Sequence, residues 1–345
     1  MNKLLIVRQD NIGDLVCTTP LIEGIRATFP NVHITVLCTS YNRAVLERNP
    51  YINRICAYAK RSHHGSIFSL VAGSIQKVLL IWQLRRECFD LVIAASTPCG
   101  KRVSDLVAMI KPARFLCSSE NGDSADHVPA SALEEMHEVE RVWEIGKRMG
   151  LAGRAPGVRV YPDTARAKSL RGEFFREGGR LVAVHISSRK PSQQWPARQF
   201  AELLRILFRQ DTSLRFVVLW APGGTDQLAH SGDDAKAKEL EVFLDGSVPV
   251  VFQPTPSLEG TIEALAACDY FIGSDGGAMH LAAACGLPVV ALFGASDTLR
   301  WYPWTPARRV LQAESKEVRD LSADKVAEAF LEILADQGAK NAGSK

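Results

Sequence analysis

No stretch of this chain approaches the roughly 20 consecutive apolar residues that a membrane-crossing helix needs, and the opening run Leu4 to Val7 is too short for a signal peptide. A cytoplasmic protein is expected. Any C-x-x-C pair is also missing. The eight cysteines stand apart at 17, 38, 56, 88, 99, 117, 268 and 285, with no histidine in ligand spacing beside them. They are expected to be buried free thiols in a reducing compartment rather than metal ligands. There is no paired acidic motif for a divalent ion, no Walker sequence, and no G-x-G-x-x-G after the first strand, which counts against a dehydrogenase. Nor is there a repeat of 20 to 50 residues or a recognised nucleic-acid-binding motif.

What is present is ordinary globular composition, 46% apolar and 23% charged, in a chain of 345 residues, longer than a single core usually supports. Apolar runs suited to buried parallel strands recur at 3–7, 33–38, 89–96 and 114–118. A second series stands at 180–187, 214–221, 249–254, 270–275 and 288–294. Helical periodicity fills the intervals, at 19–29, 75–86, 196–209, 257–267 and, near the end, 323–336. Two successive βαβ series predict an α/β protein of two Rossmann-like domains.

The Gly-, Pro- and Ala-rich segment 149–168 marks the boundary, giving domains at 1–155 and 165–338 and a frayed tail at 339–345. A short linker there predicts a ligand-binding cleft between them. Charge is divided unevenly. Residues 1–115 carry 15 Lys and Arg against 7 Asp and Glu, and the remainder carries 26 against 31. A basic first half suggests an anionic partner there.

Two stretches carry chemistry. In "RQDNIGDLVCTTP", 8–20, a carboxylate, Asp14, follows Gly13 beyond the first strand, where the strand is expected to turn sharply and where ligands bind in open α/β sheets. In "CDYFIGSDGGAMHLAAACGLPVVALFG", 268–294, a strand runs into Asp275-Gly276-Gly277 and then a helix of small residues. Paired glycines let backbone N–H groups approach an anion, and the helix N-terminus favours negative charge, so this is a candidate diphosphate seat. A plain strand-to-helix turn would have the same sequence.

The "GD" loop followed by "TTP", the "QWP" of 194–196, the "P-x-x-SLEG" of 254–260, the "D-x-G-x-x-H" helix start and the "GLPVVALFG" continuation together resemble family 9 glycosyltransferases, in order and over almost the whole chain. The best-known members are ADP-heptose:lipopolysaccharide heptosyltransferases. The resemblance implies a GT-B architecture of two Rossmann-like domains facing across a cleft, the first binding the acceptor and the second the nucleotide sugar. It implies inverting, metal-free transfer of heptose from ADP-heptose to the inner core or lipid A saccharide of lipopolysaccharide, with no resident cofactor.

On this resemblance Asp14 is the general base. The competing reading makes it a helix cap, and Asp10 is the other candidate base. Asp275 would meet sugar hydroxyls, while Gly276, Gly277 and Ala278 bring N–H groups to the phosphates. His280 either touches the diphosphate or packs. Ser187 and Ser188 match small hydroxyl residues on the phosphates, and the backbone at Thr255 and Pro256 matches the adenine-edge segment. Asp226 is the nearest candidate for the ribose. One departure stands out: Gln193 replaces a lysine common in the family, so Arg189 or Lys190 would have to meet the diphosphate. Another nucleotide sugar, a protein or other surface-glycan acceptor, or an inert sugar-nucleotide-binding module are the alternatives.

The segment 59–86 mixes cations with apolar residues. Lys60, Arg61, Arg85 and Arg86 are candidates to bind a phosphorylated glycolipid acceptor at the cytoplasmic face of the inner membrane, with peripheral membrane contact. An amphipathic helix with a solvated basic face would give the same pattern. Nucleic acid is not expected as a partner.

Overall fold

The computed structural model describes residues 1–58, 67–120, 124, 126–175, 178–223 and 232–343, with the side chains of 67–75 and 340–343 outside that description. The chain divides into two units, Met1–Tyr161 and Pro162–Lys345.

The first unit contains β1 (Lys3–Val7), β2 (His33–Thr39), β3 (Arg54–Tyr58), β4 (Leu91–Ala94), β5 (Arg114–Ser119) and β6 (His127–Pro129). All pair in parallel, in the order β3-β2-β1-β4-β5-β6. The second contains β7 (Arg180–His185), β8 (Leu214–Trp220), β9 (Val250–Pro254), β10 (Tyr270–Ser274), β11 (Val289–Phe293) and β12 (Arg308–Gln312). Its order, β12-β11-β10-β7-β8-β9, is the same winding read from the other edge. Each unit is therefore a doubly wound Rossmann-like sheet, and together they make up the pair of folds of the GT-B architecture. The strand order reverses between β1 and β4 in one sheet and between β7 and β10 in the other, the switch points beside which such sheets bind ligands.

The central strands form where both faces can be covered. Leu4, Leu5, Ile6 and Val7 of β1 are all fully buried, as a continuous apolar run in a two-sided parallel sheet requires. The unforeseen strands, β3, β6 and β12, all lie at sheet edges. Their residues are mostly half-buried, so "RICAY" and "RRVLQ" never read as apolar runs. At the chain's end, the helix Ala323–Gly343 continues past 338, through most of the tail expected to fray.

In the second unit the helix Ala197–Gln210 packs Phe200, Leu203, Leu204 and Leu207 against β7 and β8. Trp195 is fully buried beside them, edge-on to Phe200 at 4.7 Å, and its indole donates to Leu321 O at 2.9 Å. The Trp-Pro pair is thus an anchor for the turn that precedes it.

Candidate active site

In the first unit, β1 places Arg8 at its carboxyl end, and the chain enters the short helix Ile12–Val16 through Asn11 as N-cap. The turn is made before Gly13, which is helical. The reason is a capping box: Asp14, at the third helical position, accepts from both the backbone N–H and Nδ2 of Asn11, each at 3.1 Å. Its other oxygen, Oδ1, accepts from Arg8 Nη2 at 2.6 Å. Asp14 therefore takes part in capping while turning one oxygen toward a buried cation.

Arg8 is 2% exposed, with both terminal nitrogens of its guanidinium hydrogen-bonded. Nη2 also donates to Glu138 Oε1 at 2.8 Å, Nη1 donates to Ala95 O, and Nε lies 3.0 Å from the Asp10 carboxylate. Glu138, fully buried at the start of the helix Glu138–Lys147, accepts further from Thr97 Oγ1, whose hydroxyl lies 3.1 Å from both carboxylate oxygens. Burial pushes the Asp14 carboxyl upward, but the charge and hydrogen bond of Arg8 and the bonds from Asn11 outweigh it and hold the group below its ordinary 3.8. Burial likewise opposes the charge on Arg8, and Glu138, Asp14 and Asp10 prevail in keeping it protonated.

In the second unit, Asp275 leaves the end of β10 with its N–H on Leu292 O at 2.8 Å, and Gly276 caps the buried helix Gly277–Ala284. Gln193 reaches it from the turn after β7. Gln193 Nε2 donates to Asp275 Oδ2 at 2.6 Å and to Ser296 Oγ at 3.2 Å, and Lys190 Nζ lies 3.4 Å from the same Ser296 oxygen. Ser274 Oγ donates to Gln193 O at 2.7 Å. The turn lies so close to the end of β11 that a Cβ on Gly294 would stand 2.3 Å from Ser192 O. Gln193, Asp275 and Lys190 thus share one network, with Arg189 exposed on the same turn. His280 is buried and meets Trp301 edge-on, ring centres 6.2 Å apart.

Other expected residues have structural partners. Ser187 Oγ accepts from Ala221 N–H at 3.0 Å, whereas Ser188 Oγ is buried with no hydrogen-bond partner among the described residues. Thr255 places both its N–H and its hydroxyl on Trp220 O, each at 2.9 Å. Pro256 has no N–H, so this segment offers carbonyls only. Arg85 and Arg86 are exposed at the end of the helix Ile67–Arg86, with the Arg86 guanidinium 4.5 Å above the Trp82 ring. Lys60, Arg61 and Asp226 lie outside the described residues.

Sequence reasoning missed Arg8, Thr97 and Glu138 around Asp14. A charge directly after a wholly apolar strand was the available clue. It also missed a group at the carboxyl end of β7, where Lys236 Nζ donates to Ile186 O at 2.7 Å. Burial lowers this lysine to about 8, and burial together with Lys236 lowers His185 to about 4. Burial raises Asp233 in spite of its bond to Ser187. Among the described residues no cluster of side chains suits a metal ion.

The family model for glycosyltransferase family 9 (heptosyltransferase) matches residues 127–330. Lipopolysaccharide heptosyltransferase 3 of Escherichia coli (strain K12) is 25% identical over 311 residues, covering 85% of this chain and 83% of that protein. Among solved structures, the family 9 glycosyl transferase of Veillonella parvula superposes with a TM-score of 0.80 at 19% identity, over 97% of this chain and 98% of that one. The E. coli ADP-heptose lps heptosyltransferase II does so with a TM-score of 0.73 at 17% identity, over 98% and 100%.

Proposed function

Because the chain belongs to glycosyltransferase family 9 and is a glycosyltransferase, we propose that it moves heptose from ADP-heptose onto the inner core of lipopolysaccharide, with inversion and with Asp14 as general base. The acceptor oxygen forms a bond to the anomeric carbon as the bond from that carbon to the diphosphate breaks. The electron pair leaves on ADP, and the hydroxyl proton passes to Asp14. A carboxylate below its ordinary pKa is a weak base. It suffices because the hydroxyl becomes strongly acidic once its oxygen has begun to bond to carbon.

The observation that carries the reading is the second unit's network, in which Asp275, Gln193 and Lys190 gather beside Gly276 and the buried helix Gly277–Ala284. Asp275 would take sugar hydroxyls, and the N–H groups of Gly276, Gly277 and Ala278 the phosphates, with Lys190 and Arg189 supplying the cations that Gln193 cannot. Ser187, Ser188 and His280 would border the same seat. The carbonyls at Thr255 and Pro256 suit the exocyclic amine of adenine, a hydrogen-bond donor that uracil lacks at that edge. On this reading the acceptor is a phosphorylated glycolipid, held by the first unit at the cytoplasmic face of the membrane.

Gln193 also favours a second reading, the same chemistry with another nucleotide sugar. Binding and turnover across a panel of ADP- and UDP-sugars separates the two. ADP-heptose should be both bound and turned over with a lipopolysaccharide-core acceptor, and turnover only with another donor would transfer the assignment to that sugar. Asp14→Asn should lower kcat by about 100- to 10,000-fold with ADP affinity nearly unchanged, whereas near-normal turnover would remove Asp14 from the mechanism. Chelation with EDTA should leave the rate unaltered, and a loss restored by a divalent ion would contradict metal-free transfer.

A further inference from the structure

The Arg8 cluster has more structure than a helix cap needs. A capping box is complete with Asn11 and Asp14 alone, yet Asp14 Oδ1 is also bonded to a guanidinium held by three other groups: Glu138, Ala95 O and the nearby Asp10. These groups come from separate parts of the sheet. Arg8 follows β1, Ala95 and Thr97 follow β4, and Glu138 begins a helix near the end of the unit. All meet beside the β1/β4 switch point.

We infer that Arg8 is a positioning residue for the transfer, its planar fork aiming the Asp14 carboxylate at the acceptor hydroxyl, with Glu138 and Thr97 holding the fork in place. This rests on Asp14 being the base. One guanidinium nitrogen, Nη2, bonds both Asp14 at 2.6 Å and Glu138 at 2.8 Å, so a rotation of Asp14 about its χ2 would break a charge-assisted bond inside a buried site. Thr97 spans both oxygens of Glu138 and fixes the second carboxylate in turn. The ionisable group bonded to Asp14 is Arg8, which in turn faces Asp10 on the β1 side and Glu138 from the helix. Together with the bonds from Asn11, that cation keeps the base ionised in acid.

The chemistry distinguishes Arg8 from a purely structural ion-pair partner. A point charge such as Lys carries the same sign but cannot bond Asp14, Glu138 and Ala95 O in one plane. Arg8→Lys should therefore fold, bind ADP as the parent does, and lose kcat by roughly ten- to a hundredfold with the donor KM unmoved. In Arg8→Met paired with Glu138→Gln, which removes charge of both signs, the acid limb of the kcat profile should move upward by at least about one pH unit as Asp14 loses its cation. Thr97→Val, which leaves every charge in place, should show a smaller fall in kcat and no shift of that limb.

The measurement is kcat against pH for these three variants and for Asp14→Asn, with circular dichroism and ADP titration on each. If Asp14→Asn is inactive while Arg8→Lys turns over at the parent rate with an unmoved acid limb in the double variant, Arg8 has no positioning role and the inference fails alone. If Asp14→Asn itself turns over normally, Asp14 is not the base and both readings fail together. Should the double variant not fold, the kcat of folded Arg8→Lys decides.

Discussion

At Gly276 the backbone is extended, with φ at 164°, and an added Cβ would come no closer than 4.0 Å to Ser274 O. Among the described residues nothing crowds that position, unlike Gly273, whose Cβ would meet His185 O at 3.1 Å and the Phe271 ring at 2.8 Å. A residue that the fold leaves free to carry a side chain, yet which has none at the mouth of a helix N-terminus, suits close approach by an anion. Gly276→Ala should therefore keep the parent melting temperature while ADP affinity falls at least about tenfold, since a methyl group would displace a phosphate from its N–H donors. Calorimetric titration beside a melting curve checks both halves, and unchanged affinity would remove the phosphates from Gly276. Asp14 has its own consequence in acid. Its pKa is depressed in the folded chain, so the stability it confers is complete above the ordinary 3.8 and is lost as pH falls through the folded value. The acid limb of transfer should accordingly lie below pH 4, and a limb near 6 would contradict an Asp14 tied to Arg8. Asp14 was legible in the sequence because it follows a strand and a motif. Arg8 and Glu138 were not, because 130 residues separate them and only the sheet brings them together.

At the scale of elements, the sequence revealed the strands that carry apolar runs, among them β9, whose residues are mostly half-buried at a sheet edge. β1, β7, β10 and β11 carry buried apolar runs because helices cover both faces, whereas β3 and β12 at the edges are half-buried throughout most of their length and carry arginines. The turn between β7 and the helix Ala197–Gln210 was legible in its Trp-Pro pair but not in its contacts, which Gly294 and Ser274 make from distant strands. That turn is tied to both strands, so it offers a defined test of the departure at Gln193. Lysine at this position can still donate to Asp275 Oδ2, and it adds a positive charge next to the proposed diphosphate seat. If Lys190 carries the diphosphate alone, Gln193→Lys should tighten ADP binding by about 1 kcal/mol or more, and Lys190→Ala should weaken it by a similar amount. A lysine at 193 that weakens binding would mean the amide is needed as it stands, to hold Asp275 for a particular sugar.

At the scale of the whole molecule, none of the described helices is long and apolar enough to cross a membrane. The helix Ile67–Arg86 nevertheless leaves Val78, Leu79 and Trp82 exposed at 65%, 53% and 54%, beside Lys77, Arg85 and Arg86. Exposed apolar side chains flanked by cations suit an interface where lipid phosphates meet acyl chains, and the basic excess of residues 1–115 gives that attraction its sign. Its inner positions, Leu80, Ile81 and Leu84, pack against the first unit's core, so the exposed face is held by the fold and does not depend on lipid to form. Two changes separate the contributions. Arg85→Glu with Arg86→Glu should weaken binding to vesicles containing anionic lipid and raise the acceptor KM, with the difference from the parent shrinking as salt rises. Trp82→Ser should weaken vesicle binding at every salt concentration, because the area it would bury is uncharged. Neither should alter ADP affinity, which the proposed reading assigns to the second unit. If both variants sediment with anionic vesicles as the parent does at low salt, the helix is an ordinary solvated one. Acceptor recognition would then be sought at Cys99 to Arg102, where Gly100 caps the helix Lys101–Ile110 a few residues beyond Thr97.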